Sequence, residues 1–226
     1  MNVIISIDGA CRRNGKPDCL AAGAVYVHNE FKSHTILENE MPSTNQRGEM
    51  LAAIEGLAAG YDLMEQIGSD ITTVYLITDS EYIFNAITKE WYKGWSKKGW
   101  VTADNNPVKN KDLWMQIASE VDKYDSNEQL VVYHVKGHLI SIGKVAAETL
   151  IRKDPTCRSL VAELSKIYDA MIANPLKREA YDKAIELFER NNGFVPPADI
   201  FKKMIICNMV SDAVATKYIN ELDAQD

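Results

Sequence analysis

The first eighty residues alternate short apolar runs with polar breaks, a rhythm that predicts strands first and helices afterwards. Residues 3–8 (VIISID) read as a strand stopped by Gly9. Residues 21–28 and 31–38 read as two more, with Asn29 and Glu30 at a tight connection. The period then changes. Met50, Leu51, Ile54, Leu57, Ala58 and Tyr61 recur at helical intervals; Ser43 and Gln46 have capping-box spacing, and Thr44 is an alternative cap. Residues 71–78 (ITTVYLIT) return to strand, 82–89 and 112–124 to helix, 129–135 (QLVVYHV) to a fifth strand, and 144–151 to helix. Three early strands followed by strand–helix alternation predict an α/β fold, a mixed sheet with helices packed on it.

Asp154 and Pro155 mark a boundary between residues 1–153 and a tail, 154–226. In the tail, 160–172, 178–190 and 200–222 all favour helix, separated by Pro175 and by Gly193 with Pro196 and Pro197. Its nine basic and twelve acidic residues give no nucleic-acid-binding arm. Leu164, Ile167, Tyr168, Met171 and Ile172 form an apolar face that needs cover. Packing in cis is the simplest cover; self-association or a docked protein partner are the others.

Composition changes this picture little. The chain is 46% hydrophobic and 25% charged, ordinary for a folded protein, and no apolar run approaches a membrane span. The N-terminus reads as a first strand rather than a basic leader, and no membrane association is expected. Cys11, Cys19, Cys157 and Cys207 have neither close pairs nor zinc-finger spacing, so mostly free thiols in a reducing, cytoplasmic setting are expected. A net charge of −7 argues against a uniformly basic surface, yet residues 89–111 hold six lysines against Glu90 and Asp104. Interleaved with Trp91, Trp95 and Trp100, they suggest a local nucleic-acid contact.

The chemistry lies where elements begin and end. Asp8 closes the first strand, Glu49 sits early in the first helix, and Asp79 ends the fourth strand. Each alone is an ordinary cap or turn acid. Brought together at one sheet edge they would repel, and a hard divalent cation is the economical way to keep them charged. Two ions roughly 4 Å apart could activate a water and stabilise the departing oxygen of a phosphodiester. His138, ending VKGH just after the fifth strand, is placed for proton transfer. A fourth acid is needed nearby, and Glu148 lies ten residues later in the next helix. Asn14, in the GACRRNG loop after Asp8, offers amide and carbonyl groups to a sugar hydroxyl.

Together the blocks Asp8-GACRRNG, TNQRGEMLAAI, TDSEYIFNAI, WYKGWSKKGWVTADNNPVKNKDLW and VKGH resemble the ribonuclease H family, of the bacterial type 1 kind, over about residues 1–153. The resemblance implies a five-stranded mixed sheet with flanking helices, here followed by an α-helical C-terminal extension. It implies hydrolysis of the RNA strand of an RNA–DNA hybrid by two Mg²⁺ ions, with Mn²⁺ a possible substitute, leaving 5′-phosphate and 3′-hydroxyl ends. Asp8, Glu49 and Asp79 fall on the family's first three metal-binding acids and His138 on its proton-transfer histidine. Glu148 stands in register where the family has its fourth acid, usually aspartate. Asn14, Thr44, Asn45 and Gln46 fall in the blocks that read the hybrid's minor groove, and Trp91, Lys93, Trp95, Lys97, Lys98 and Trp100 on the basic protrusion. The rivals are a structure-selective DNA nuclease on a related fold and a catalytically impaired hybrid-binding module.

Overall fold

The computed structural model describes residues 2–28, 30, 32–37, 43–68, 73–125 and 128–224. Strands β1 (Asn2–Arg12), β2 (Leu20–Val27) and β3 (Lys32–Leu37) form an antiparallel meander. Helix α1 (Asn45–Ile67) then crosses to β4 (Thr73–Thr78), which runs parallel to β1. Helices α2 (Glu81–Thr88), α3 (Trp91–Lys97) and α4 (Lys111–Val121) lead to β5 (Leu130–His134), parallel to β4. The sheet order is β3-β2-β1-β4-β5, the expected five-stranded mixed sheet. Four helices follow: α5 (Lys144–Lys153), α6 (Arg158–Ala173), α7 (Pro175–Asn192) and α8 (Ala198–Asp223). The proposed turn residue Asn29 and the strand residues 31, 38, 71 and 72 lie outside the described residues.

Alternation along β1 sorts the interior into two cores. Ile5 and Ile7 face α1, α2 and α4, packing with Leu57, Leu76, Ile83 and Trp114. The opposite face, with Ala24, Tyr26, Ile77 and Val135, is covered by the C-terminal helices. Helix α8 lies directly on β1 and β2, with Phe201, Ile205, Val210 and Ala215 buried. The hydroxyls of Ser6 on β1 and Ser211 on α8 pair at 3.0 Å in this otherwise apolar layer, which sets the helix on the strand. The apolar face of α6 is likewise buried in cis, through Leu160, Leu164 and Tyr168. Packing therefore runs across the composition break at 153/154.

Two cysteines differ from the expectation of free thiols. Cys11 and Cys19 sit on β1 and at the entry to β2, where the antiparallel pairing brings them together, and they are disulfide-bonded. Cys157 and Cys207 are free and buried. Among the described residues no helix is long and apolar enough to cross a membrane.

Candidate active site

Parallel pairing of β1 with β4 puts Ser6 opposite Ile77, so Asp8, within β1, and Asp79, just past the end of β4, come level at the same sheet edge. Helix α1 begins over this edge, capped by Thr44, whose hydroxyl accepts from Arg47 N–H at 3.2 Å. Contact with β1 is so close that a Cβ on Gly9 would collide with the Glu49 backbone. Glu49 Oε1 accepts from Asn45 Nδ2 at 2.8 Å and Oε2 from the Ser80 hydroxyl at 2.7 Å. Across the edge, a Cβ on Gly137 would strike the Asp79 carboxylate. Gly137 therefore lets the chain after β5 pass hard against that acid, and His138 follows, exposed and in the left-handed region at φ 53°.

One further acid comes to this place from α8. Asp212 on α8 follows the Ser211 that pairs with Ser6, and its Oδ2 lies 3.6 Å from His138 Nδ1. One turn earlier, the amide of Asn208 is buried beside Asp79 and favours its charged form, without the alignment of a full hydrogen bond. Glu148 is elsewhere. On α5 its Oε1 accepts from Asn220 Nδ2 at 2.9 Å, and it meets Asp212 only across a small cavity of about 130 Å³ that Lys144 and Thr216 also line. Glu148 is expected from its register, ten residues after His138; the fold sets Asp212, and not Glu148, against His138.

The acids act on one another electrostatically. Burial raises the pKa of Asp8 well above the carboxylate range, and the charges of Asp79, Asp212 and Glu49 push it further. Burial is also the main cause of the raised values of Glu49, Asp79 and Asp212. Asp79 adds to the first and last of these shifts, whereas His138 draws Asp79 and Asp212 back down. Among the described residues no three His, Cys, Asp or Glu side chains are gathered as a ready-made metal cage, and both oxygens of Glu49 are engaged by neighbours. The donor chemistry nonetheless fits a hard cation, since mutually repelling, buried carboxylates are what such an ion relieves.

The RNase H family profile matches residues 1–154. The chain belongs to the RNase H family. Its relatives include "Ribonuclease H" of Alcanivorax borkumensis, 37% identical over 152 residues, covering 67% of this chain and 90% of that one. "Ribonuclease H" of Hahella chejuensis is 40% identical over 136 residues, covering 60% and 83%. A solved foamy-virus RNase H domain superposes with a TM-score of 0.47 at 20% identity, over 62% of this chain and 81% of that one. The RNase H match ends before α8, so Asp212 lies outside the region that similarity marks.

The residues expected to touch substrate divide into two groups. Asn14, exposed in the loop after β1, accepts from Asn45 N–H at 3.4 Å, so these two meet beside Glu49. Gln46 accepts from Asn110 at 3.1 Å, and Arg47 forks onto Asp112 at 3.1 and 2.7 Å, tying the start of α1 to α4. On the protrusion, Trp95 and Trp100 pack against the core, Trp95 edge-on to the buried Trp114 at 5.5 Å. Trp91 is exposed with Lys89 over its ring at 5.7 Å. Lys97 and Lys98 are exposed, whereas Lys93 is paired with Glu90 at 2.7 Å.

Proposed function

We propose that this chain is an endonuclease that hydrolyses the RNA strand of RNA–DNA hybrids, with Asp8, Glu49, Asp79 and Asp212 as the metal-holding acids and His138 as the proton carrier. The convergence of those four carboxylates beside His138, in a chain of the RNase H family, carries the reading. Asp212 is assigned the fourth position because its charge acts on those of Asp8 and Asp79 and its Oδ2 lies 3.6 Å from His138 Nδ1, whereas Glu148 is paired with Asn220. Two Mg²⁺ ions, or Mn²⁺ in their place, would supply activation of a water and neutralisation of charge on the phosphodiester.

The chain's own groups do the rest. Asp8 is held by the Gly9 N–H at 2.7 Å and Glu49 by Asn45 and Ser80, so the acids enter from fixed directions. Attack on phosphorus breaks the bond to the 3′-oxygen and leaves 5′-phosphate and 3′-hydroxyl ends. His138, with Nδ1 toward Asp212, has Nε2 free to exchange the proton this requires. Asn14, Asn45 and Gln46 lie where 2′-hydroxyls can be read, a feature that DNA lacks, so only one strand is cut. The exposed Lys97 and Lys98, with Trp91, suit the DNA backbone.

Labelled RNA–DNA hybrid, duplex DNA and a four-way junction, each offered with Mg²⁺, test it. The expected result is cleavage of the hybrid's RNA strand alone, with Asp79→Asn slower by on the order of a hundredfold or more. Preferential junction cleavage, or hybrid binding without cleavage in either Mg²⁺ or Mn²⁺, would overturn it.

A further inference from the structure

β5 is an edge strand, and its last residue, His134, is buried where the strand ends. The outward backbone groups of His134 are taken up by the end of α7. Asn192 Oδ1 accepts from His134 N–H at 3.0 Å, and Asn192 Nδ2 donates to His134 C=O at 2.9 Å. The imidazole is held at both nitrogens: Nε2 lies 3.1 Å from the Asp79 carbonyl and Nδ1 lies 2.8 Å from Asn191 Nδ2. A carbonyl oxygen only accepts, so Nε2 carries the hydrogen. In a neutral ring Nδ1 is then an acceptor, and Asn191 must donate to it. Phe84 packs on the ring at 5.7 Å, in keeping with a neutral imidazole.

The main chain is held on either side of Asp79, by Val135 N–H on the Thr78 carbonyl at 3.0 Å and by Ser80 N–H on the Thr78 hydroxyl at 3.1 Å. β4 ends at Thr78 and α2 begins at Glu81, so the Asp79 carbonyl belongs to neither ladder nor helix. We propose that His134 is a positioning residue: locked as its Nε2–H tautomer by Asn191 of α7, it holds the Asp79 carbonyl and so sets the direction from which the Asp79 carboxylate enters the acid cluster. The helical region between His138 and α8 thereby acts on the site through the backbone, without touching substrate. This rests on the proposed role of Asp79 as a metal-holding acid.

The test uses the full-length chain with His134→Leu, His134→Gln and Asn191→Leu. Four properties are measured: hybrid turnover, the Mg²⁺ concentration for half-maximal rate, hybrid affinity in Ca²⁺, and the two-bond ¹H–¹⁵N pattern of the His134 ring. The wild-type ring is expected to give the Nε2–H pattern. His134→Leu should lower turnover or raise the Mg²⁺ requirement roughly tenfold, the range seen when partners that orient metal ligands are lost, with hybrid affinity unchanged. His134→Gln, which keeps an N–H at similar reach, should recover most of that loss. Asn191→Leu should weaken the tautomer preference and fall in between. An Nδ1–H ring in the wild type would overturn the inference, as would His134→Leu with wild-type turnover and Mg²⁺ demand. So would a loss that tracks melting temperature and that His134→Gln does not recover. Should His134→Leu fail to fold, the ring pattern in wild type and Asn191→Leu decides. An active Asp79→Asn would sink the proposed site itself; an inactive one beside a normal His134→Leu sinks only this inference.

Discussion

The two faces of the sheet are built from very different stretches of chain. The α1 face is complete by residue 132: β1, β2, α1, β4 and α2 lie before residue 90, α4 and β5 add Trp114, Ile117 and Val132, and Asp8, Glu49 and Asp79 come with them. The other face waits for α8, which closes over β1 and β2 only after α5, α6 and α7 have been laid down. One face is a local assembly and the other a long-range closure, and Asp212 arrives with the closure. On the proposed reading, a catalytic group is carried by what looks like an appendage because that appendage is the second half of the core.

Cutting the chain after Asp154 should break this comparison most severely. It would bare Ala24, Tyr26 and Ile77 on the sheet and remove Ser211 and Asp212 together. Each large apolar side chain so exposed forfeits about 1.5–3 kcal/mol, and a folded protein has only about 5–15 kcal/mol to lose. The expected outcome is an aggregated or molten product without hybrid cleavage, judged by near-ultraviolet circular dichroism and activity. A soluble, cooperatively melting, active 1–154 fragment would mean that the α1 face is self-sufficient.

A smaller effect is expected from pH. Asp8, Glu49, Asp79 and Asp212 all have folded pKa values raised above the ordinary range, so the folded chain holds their protons more tightly than the unfolded chain does. Their contribution to stability is fully present below the ordinary carboxylate range, about 4, and is lost as pH rises through the raised folded values. In metal-free protein, Asp8→Asn should flatten that part of the dependence of melting temperature on pH. Mg²⁺ should raise the melting temperature most at the high end, because it binds the folded, charged cluster. A wild-type melting curve matching that of Asp8→Asn at every pH, and unmoved by Mg²⁺, would contradict a cluster shared between the two faces.

The least effect belongs to the protrusion, which sits apart from both faces. Replacing exposed Lys97 or Lys98 with alanine should weaken hybrid binding and reduce its salt slope by roughly one per lysine. Lys93, already paired with Glu90, should matter less. Salt titrations of hybrid affinity measure this, and an unchanged slope would remove the lysines from the interface.

What could be read in advance follows the same division. The strands and α1 were legible because their apolar periods are strong. Asp79 and His138 were legible because each follows the end of a strand, and Asp8 because an apolar run ends on it, although β1 is not stopped by Gly9 and runs on, paired with β2, to Arg12. Asp212 was not, since a lone acid in the middle of a long helix looks like a solvated face, whereas Glu148 had the right distance from His138. A signal was present: Asn208, Ser211 and Asp212 interrupt a run, residues 204–215, that is otherwise apolar. Polar groups on a stripe that must be buried need partners, and here the partners are Ser6, Asp79 and His138. The Cys11–Cys19 pairing was hidden for a similar reason, because the antiparallel register that joins them is invisible in their spacing.

The most direct measurement compares Asp212→Asn with Glu148→Gln, as the single-turnover rate of hybrid cleavage in Mg²⁺, with folding checked by melting temperature and hybrid affinity measured in Ca²⁺. If α8 completes the acid cluster, Asp212→Asn loses on the order of a hundredfold in rate while still folding and binding hybrid, and Glu148→Gln stays within a few fold of the parent. A fully active Asp212→Asn, or a loss confined to Glu148→Gln, would return the fourth carboxylate to α5 and contradict the account.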